Sequence, residues 1–219
     1  MDHQHIVKWK GSKVPPFMCS RCKELGFESS YICKNRNCSY MLHKECMDPV
    51  KDVHPFLKNC NFELYVEATS GSFCDACGKD LLGYFYWCRE TNYGLHPSCL
   101  TLKHKILKHD GTVRMTLSNV VPSDCVRCKQ RHVVRDQFEG WSYVVNSDGK
   151  SCVHVSCFKD MILENLNTNG DTTTRSKGKE RFILFSKLTL GILNVLFTWD
   201  ISNVVDIVEA IVENFSEHH

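Results

Sequence analysis

The chain has 219 residues, with 27 Lys and Arg against 25 Asp and Glu, a formal net charge of +2. So balanced a charge makes no polyanion-attracting field and argues against nucleic acid as a partner. The unusual numbers are 14 Cys and 11 His. About one residue in sixteen is cysteine, which points to metal sites or disulfides holding pieces too small to bury a sufficient core.

The opening residues, Met1-Asp2-His3-Gln4-His5-Ile6-Val7-Lys8-Trp9-Lys10, hold no apolar stretch of the roughly 7–15 residues an export signal needs. The expectation is a reducing compartment, cytoplasmic or nuclear, where thiols bind metal rather than pair. Along the chain one pattern then recurs three times. Cys19-x2-Cys22 is followed by His43-x2-Cys46, Cys74-x2-Cys77 by His96-x2-Cys99, and Cys125-x2-Cys128 by His154-x2-Cys157. A Cys-x-x-Cys knuckle supplies one edge of an ion and His-x-x-Cys the other, giving a closed Cys3His zinc tetrahedron with no position left for substrate. That spacing predicts structural zinc and no enzyme.

The first repeat carries further donors. Cys33 and Cys38 lie between the halves of its first site, with His5 and His54 flanking, so interleaving predicts a second site of His5, Cys33, Cys38 and His54. Between knuckles the segments are short and β-like, such as Tyr84-Phe85-Tyr86-Trp87 and Trp141-Ser142-Tyr143-Val144-Val145. Their aromatics are read as core around the metal rather than as base-stacking platforms.

The spacing His-x13-Cys-x2-Cys-x10-Cys-x4-Cys-x4-His-x2-Cys-x7-His resembles the plant divergent C-one domain family, cysteine- and histidine-rich zinc fingers related to the diacylglycerol-binding domains of protein kinases. The run Ser72-Phe73-Cys74-Asp75-Ala76-Cys77-Gly78-Lys79, with Tyr86-x-Cys88 and Leu95-His96-Pro97-Ser98-Cys99, is similar to that family's middle module, and His54-Pro55-Phe56-Leu57 to its recurring opening. The resemblance covers residues 3–158 and implies small zinc-stabilised α+β modules, short β-hairpins plus one short helix each, three in tandem. It also implies protein–protein interaction in intracellular signalling. The chain departs from the pattern where Thr91 stands three residues after Cys88, and where Val145 and Asp148 stand for the corresponding pair of the third repeat. The outer sites of modules two and three are therefore expected to be broken, leaving about four zinc ions per chain. Cys60, Cys88 and Cys152 are then buried apolar thiols, and His104, His109 and His132 surface or spacer residues.

The expected organisation is module one over 3–54, module two over 55–109, module three over 110–166 and a polar linker over 167–181. A hydrophobic and amphipathic C-terminal helical region follows over 182–219. Phe182 to Trp199 is apolar but interrupted by Lys187, Gly191 and Asn194, at the short edge of a membrane span, so C-terminal membrane association stays open. Val204, Val208, Ile211 and Phe215 follow helical spacing.

Three rival readings compete. Cys19, Cys22, Cys33, Cys38, His43, Cys46, Cys74 and Cys77 also satisfy the order of a chromatin-reading plant homeodomain finger. A ubiquitin ligase or thiol oxidoreductase is disfavoured, the first by the nine residues between Cys33 and His43, the second by the lack of a βαβ unit. Binding of diacylglycerol or a membrane would use the Cys77–Cys88 loop with Leu81, Leu82 and Phe85, and is not favoured over a protein contact.

Overall fold

The computed structural model describes residues 3–48, 54–107, 112–133, 138–147, 149–168 and 205–209. Three small antiparallel sheets follow one another in the chain. The first contains β1 (Val7–Met18), β2 (Leu25–Cys33) and β3 (Met41–Leu42), and leads into a one-turn helix, α1 (Lys44–Met47). Trp9 faces Tyr31 across the β1–β2 pair, their rings 5.0 Å apart, an aromatic cross-strand contact that pins this register.

The second sheet is β4 (Phe62–Tyr65), β5 (Phe85–Cys88) and β6 (Tyr93–Leu95), preceded by a 3-10 turn, Pro55–Leu57, and followed by α2 (Pro97–Leu100). Proline at the first position of both the turn and α2 suits a helix start, where no backbone donor is lost. The third sheet has the order β10-β9-β8-β7, from β7 (Lys105–Leu107), β8 (Val113–Ser118), β9 (Ser142–Val145) and β10 (Cys152–His154). In β8 Met115 and Leu117 are buried and their neighbours are not, the two-residue period of a half-buried strand. The aromatic segments read as strands from the sequence are β5 and β9. β7, which a boundary at residue 109 would give to the second sheet, pairs with β8 in the third.

After His154 the chain enters α3 (Val155–Thr168), 14 residues long rather than the short helix expected. Val155, Phe158, Met161 and Ile162 are buried at helical spacing and dock α3 on the third sheet, with the Phe158 ring 4.8 Å from Tyr143. Its last residues, Asn167 and Thr168, begin the segment read as linker.

Among the described residues the buried hydrophobic side chains form two clusters. One belongs to the first sheet and joins Phe17, Cys19, Cys22, Leu42 and Cys46. The other is shared by the second and third sheets and runs from Leu57 and Cys74 through Trp141 and Tyr143 to Val205 and Val208. Trp141 is 1% exposed, and its backbone N–H donates to the Ala76 carbonyl at 2.9 Å, so the third sheet leans directly on the second knuckle. Between first and second sheets the Tyr84 N–H donates to the Arg21 carbonyl at 3.1 Å, and the Arg21 guanidinium lies over the Tyr84 ring. Only glycine fits at 83 beside this contact, because a Cβ there would stand 2.0 Å from the Arg21 oxygen.

Residues 205–209 form a helical turn on the shared core, where Arg114 of β8 pairs with Asp206 and Glu209. That placement agrees with intramolecular packing for this part of the C-terminal region. The rest of the region, including the apolar run 182–199, lies outside the described residues. Among the described residues no helix is long and apolar enough to cross a membrane.

Candidate metal centres

The three knuckles are built alike. In each, the first Cys carbonyl accepts from the N–H four residues on: Lys23 to Cys19 at 3.0 Å, Gly78 to Cys74 at 2.7 Å and Lys129 to Cys125 at 2.8 Å. The first Cys N–H in turn donates to the carbonyl of the next residue, Glu24, Lys79 or Gln130, at 2.9–3.0 Å. Closing so tight a loop requires a left-handed residue, and Lys23, Gly78 and Lys129 have φ of 60°, 70° and 60°. The other two donors come from the start of a helix. His43 and His96 cap α1 and α2, and His154 ends β10 just before α3, so the cysteine three residues on returns to the same side.

These elements bring together Cys19, Cys22, His43 and Cys46; Cys74, Cys77, His96 and Cys99; and Cys125, Cys128, His154 and Cys157. Within each group every ligand atom lies within 4.8 Å of the others. Nδ1 faces the sulfurs throughout, 3.2 Å from Cys22, 3.4 Å from Cys77 and 3.4 Å from Cys128. A zinc tetrahedron with ordinary bond lengths has edges of about 3.6–3.8 Å, so these donors stand close to ligating positions. In the second and third groups the opposite ring nitrogen is held from outside the group, whereas His43 Nε2 of the first is buried without a hydrogen-bond partner. His96 Nε2 meets the Asp80 carbonyl at 3.1 Å and His154 Nε2 the Arg131 carbonyl at 3.0 Å, the partners that fix a ligating imidazole. Backbone N–H groups reach the sulfurs as well, from His96 to Cys74 and from His154 to Cys125, both at 3.5 Å.

The electrostatics favour a cation. Hydrogen bonds from Cys22 and Cys46 hold the Cys19 thiol far below its ordinary value, while the same contacts push Cys46 far above it. In the third group the hydrogen bond from Cys157 draws Cys125 down to about 3, and Cys157 is pushed well up. Three thiolates in one small buried space repel, and a dication removes that conflict.

A fourth group lies at the N-terminal corner and consists of His3, His5, Cys33 and Cys38. Pairing of Val7 with Cys33, and the Lys34 N–H donating to the Ile6 carbonyl, carry residues 3–6 alongside 33–38. His3 Nε2 is 3.3 Å from Cys38 Sγ, and its ring stacks on Tyr40 with centroids 3.8 Å apart. Here the structure corrects the expected ligand set, for His3 and not His54 completes it. His54 is buried between the second and third sheets, its ring 5.3 Å from both Phe56 and Trp141 and its Nε2 3.2 Å from the Cys99 carbonyl. Burial there holds its imidazole below the ordinary histidine pKa. The sequence did hold a signal for His3, since His3-x-His5 places two donors on one side of an extended chain.

The remaining thiols have other neighbours. Cys88 is buried and donates to Glu90 at 3.2 Å, half-buried Cys60 lies 3.2 Å from Thr91 Oγ1, and Cys152 is buried and donates to the Ser123 carbonyl. His132 is exposed, His104 packs near Phe56, and His109 lies outside the described residues. The grouping of Cys74 and Cys77 with His96 and Cys99 also removes them from the interleaved order of a plant homeodomain finger.

One polar cluster joins all three sheets. Lys159 of α3 is buried and places Nζ 2.8 Å from Glu24 Oε1, 3.1 Å from Ser98 Oγ and 3.0 Å from Cys99 Sγ. Ser98 also donates to Glu24, whose Oε1 lies 3.7 Å from His96 Nδ1. Burial alone would raise the Glu24 pKa, but the charges of Lys159 and His96 draw it down to about 2. Burial likewise opposes the Lys159 ammonium, and Cys99 and Glu24 hold it well above its usual value.

These features define a cysteine- and histidine-rich chain of small sheet-rich units with, among the described residues, four tetrads compatible with zinc. No known protein family, curated protein or solved structure matches it.

Proposed function

We propose that this chain is a zinc-binding protein of tandem divergent C-one type, acting as a protein-interaction scaffold in intracellular signalling and not as an enzyme. The observation that carries the zinc reading is the threefold repeat of one geometry: knuckle, capping histidine and helix-start cysteine converge in each sheet unit. Cys3His and Cys2His2 donor sets suit zinc by softness and number. Four protein donors fill a tetrahedron and leave no place for a metal-bound nucleophile, which supports a structural role. Zinc would there neutralise the crowded thiolates and tie strand ends to helix starts, and the chain's residues supply the rest of the fold.

The scaffold part of the reading is supported by exposed apolar side chains on the first two units, with Ile6 68% and Leu82 67% exposed and Trp9 and Met18 beside the first hairpin. A membrane-inserting tip is less well supported, since Leu81 and Phe85 of the Cys77–Cys88 loop are buried and Leu82 alone projects. Native mass spectrometry of the full chain tests the metal reading, with four zinc ions expected. A chain holding none would sink it. Proximity labelling in cells, compared between the wild type and a Leu82→Asp, Ile6→Asp variant, tests the scaffold reading. An unchanged set of labelled neighbours would refute it for these surfaces.

A further inference from the structure

The contact of Lys159 with Cys99 has a geometry that packing alone does not require. A lysine on the inward face of an amphipathic helix loses water and needs partners to remain charged. Lys159 finds three, one in the first unit and two in the second. Glu24 follows the first knuckle, Ser98 and Cys99 belong to α2, and the lysine itself comes from α3. Glu24 has two tasks at once, because its backbone carbonyl closes the first knuckle while its carboxylate reaches the second ligand group. We propose that Lys159 is a positioning residue for the middle metal centre, linking that centre's inertness to the assembly of all three sheet units.

The inference rests on the zinc reading of the Cys74, Cys77, His96 and Cys99 group. A centre with three thiolates and a dication carries −3 + 2 = −1, and an ammonium donating an N–H to one of its sulfurs offsets that charge. The same hydrogen bond withdraws electron density from the Cys99 thiolate, making it a poorer nucleophile toward an alkylating agent. Glu24 prevents the lysine from swinging to solvent. The arrangement therefore acts in two directions. An intact middle centre anchors Lys159 and with it α3 and the first knuckle, and a separation of the units withdraws the donor and loosens the centre.

The test is pulsed alkylation of the zinc-loaded full chain, followed by mass spectrometry of each cysteine peptide. In the wild type Cys99 is expected among the slowest to react. Lys159→Met alone leaves Glu24 buried without its cation, so the informative variant is Glu24→Gln with Lys159→Met, which removes both charges together. In it Cys99 should react about tenfold faster, the size typical of losing an outer partner of a metal ligand, with Cys33 and Cys38 at their wild-type rates. A cobalt-loaded sample of the same variant should show its thiolate charge-transfer absorption moved to longer wavelength. Unchanged Cys99 alkylation and an unchanged cobalt spectrum would overturn the proposal while leaving the zinc reading intact. A wild type whose tetrad cysteines react at equal rates with and without zinc would overturn the zinc reading and the proposal with it.

Discussion

The middle ligand group and the N-terminal one hold the same number of donors in opposite surroundings. All four residues of the middle group are buried, and three of them belong to the core shared by the second and third sheets. In the N-terminal group only Cys33 is buried, His5 is exposed, and the first sheet keeps its own small core elsewhere. The difference shows that an equal number of donors need not mean equal importance to the fold. A metal inside a merged core is part of the fold of two units, whereas a metal on a hairpin end fixes only the hairpin.

The largest effect should come from breaking the middle group. His96→Ala removes one donor and leaves three thiols crowded in the shared core. The expected outcome is loss of one zinc and cooperative unfolding of the second and third sheets, since structural zinc contributes on the order of 10 kcal/mol per site. His5→Ala should also lose one zinc, yet leave the thermal melting of the shared core unchanged. Metal counting with near-ultraviolet circular dichroism reads both. Equal melting of the two variants would refute the contrast.

The same corner can be followed through the three sheets. Cys33 pairs with Val7, Cys88 with Phe62 and Val145 with Met115, so His5, Cys60 and Val113 stand at matching places two residues earlier. The corner is a four-donor group in the first sheet, two thiols with Thr91 and Glu90 in the second, and apolar packing in the third. Thr91→Cys would put a third thiol beside Cys60, whose sulfur already lies 3.2 Å from Thr91 Oγ1. The expected outcome is one additional cobalt ion per chain with thiolate charge-transfer absorption, and no gain in Thr91→Ser. Failure of Thr91→Cys to bind further cobalt would show that matching register does not make matching sites.

A smaller effect is expected at the C-terminal contact. Arg114 is almost enclosed and donates from Nε to Glu209 Oε1 at 2.7 Å besides its pairs with Asp206 and Glu209. Arg114→Ala leaves carboxylates without their cation and should weaken docking of residues 205–209 by about 1–3 kcal/mol. Faster hydrogen exchange at the Val205 and Val208 amides, with zinc content unchanged, is the expected reading. Wild-type exchange there would mean that Val205 and Val208 hold the turn by burial alone.

What the sequence made legible was the chemistry that depends on short spacing. Each knuckle and each His-x-x-Cys pair is local, so the three inner groups could be read from Cys and His positions alone. The fourth group was legible only in part, because its last donor depends on how a strand pairs with its neighbour. His5 and His54 flank the repeat symmetrically in sequence, yet the β1–β2 register brings His3, and burial between two other sheets removes His54. The length of α3 was obscured by Lys159, a charge on the face that packs inward. A pattern of apolar residues cannot announce a buried lysine whose partners come from 135 and 60 residues away.

The smallest effect concerns the left-handed residue that closes each knuckle. The middle one uses Gly78, at φ 70°, while the first uses Lys23 at φ 60°. A side chain in this conformation crowds the backbone and costs about 1 kcal/mol relative to glycine. The costs therefore have opposite signs at equivalent places. Gly78→Ala should destabilise the middle centre by about 1 kcal/mol, and Lys23→Gly should stabilise the first by somewhat less, because the exposed Lys23 ammonium gives up its bond to the Ser20 carbonyl at 2.6 Å. Competition with a chromogenic chelator reads both changes as shifts in zinc affinity of about fivefold or less in opposite directions. If both variants weakened zinc binding, the strain argument would fail, and the Lys23 side chain itself would have to contribute to the first centre.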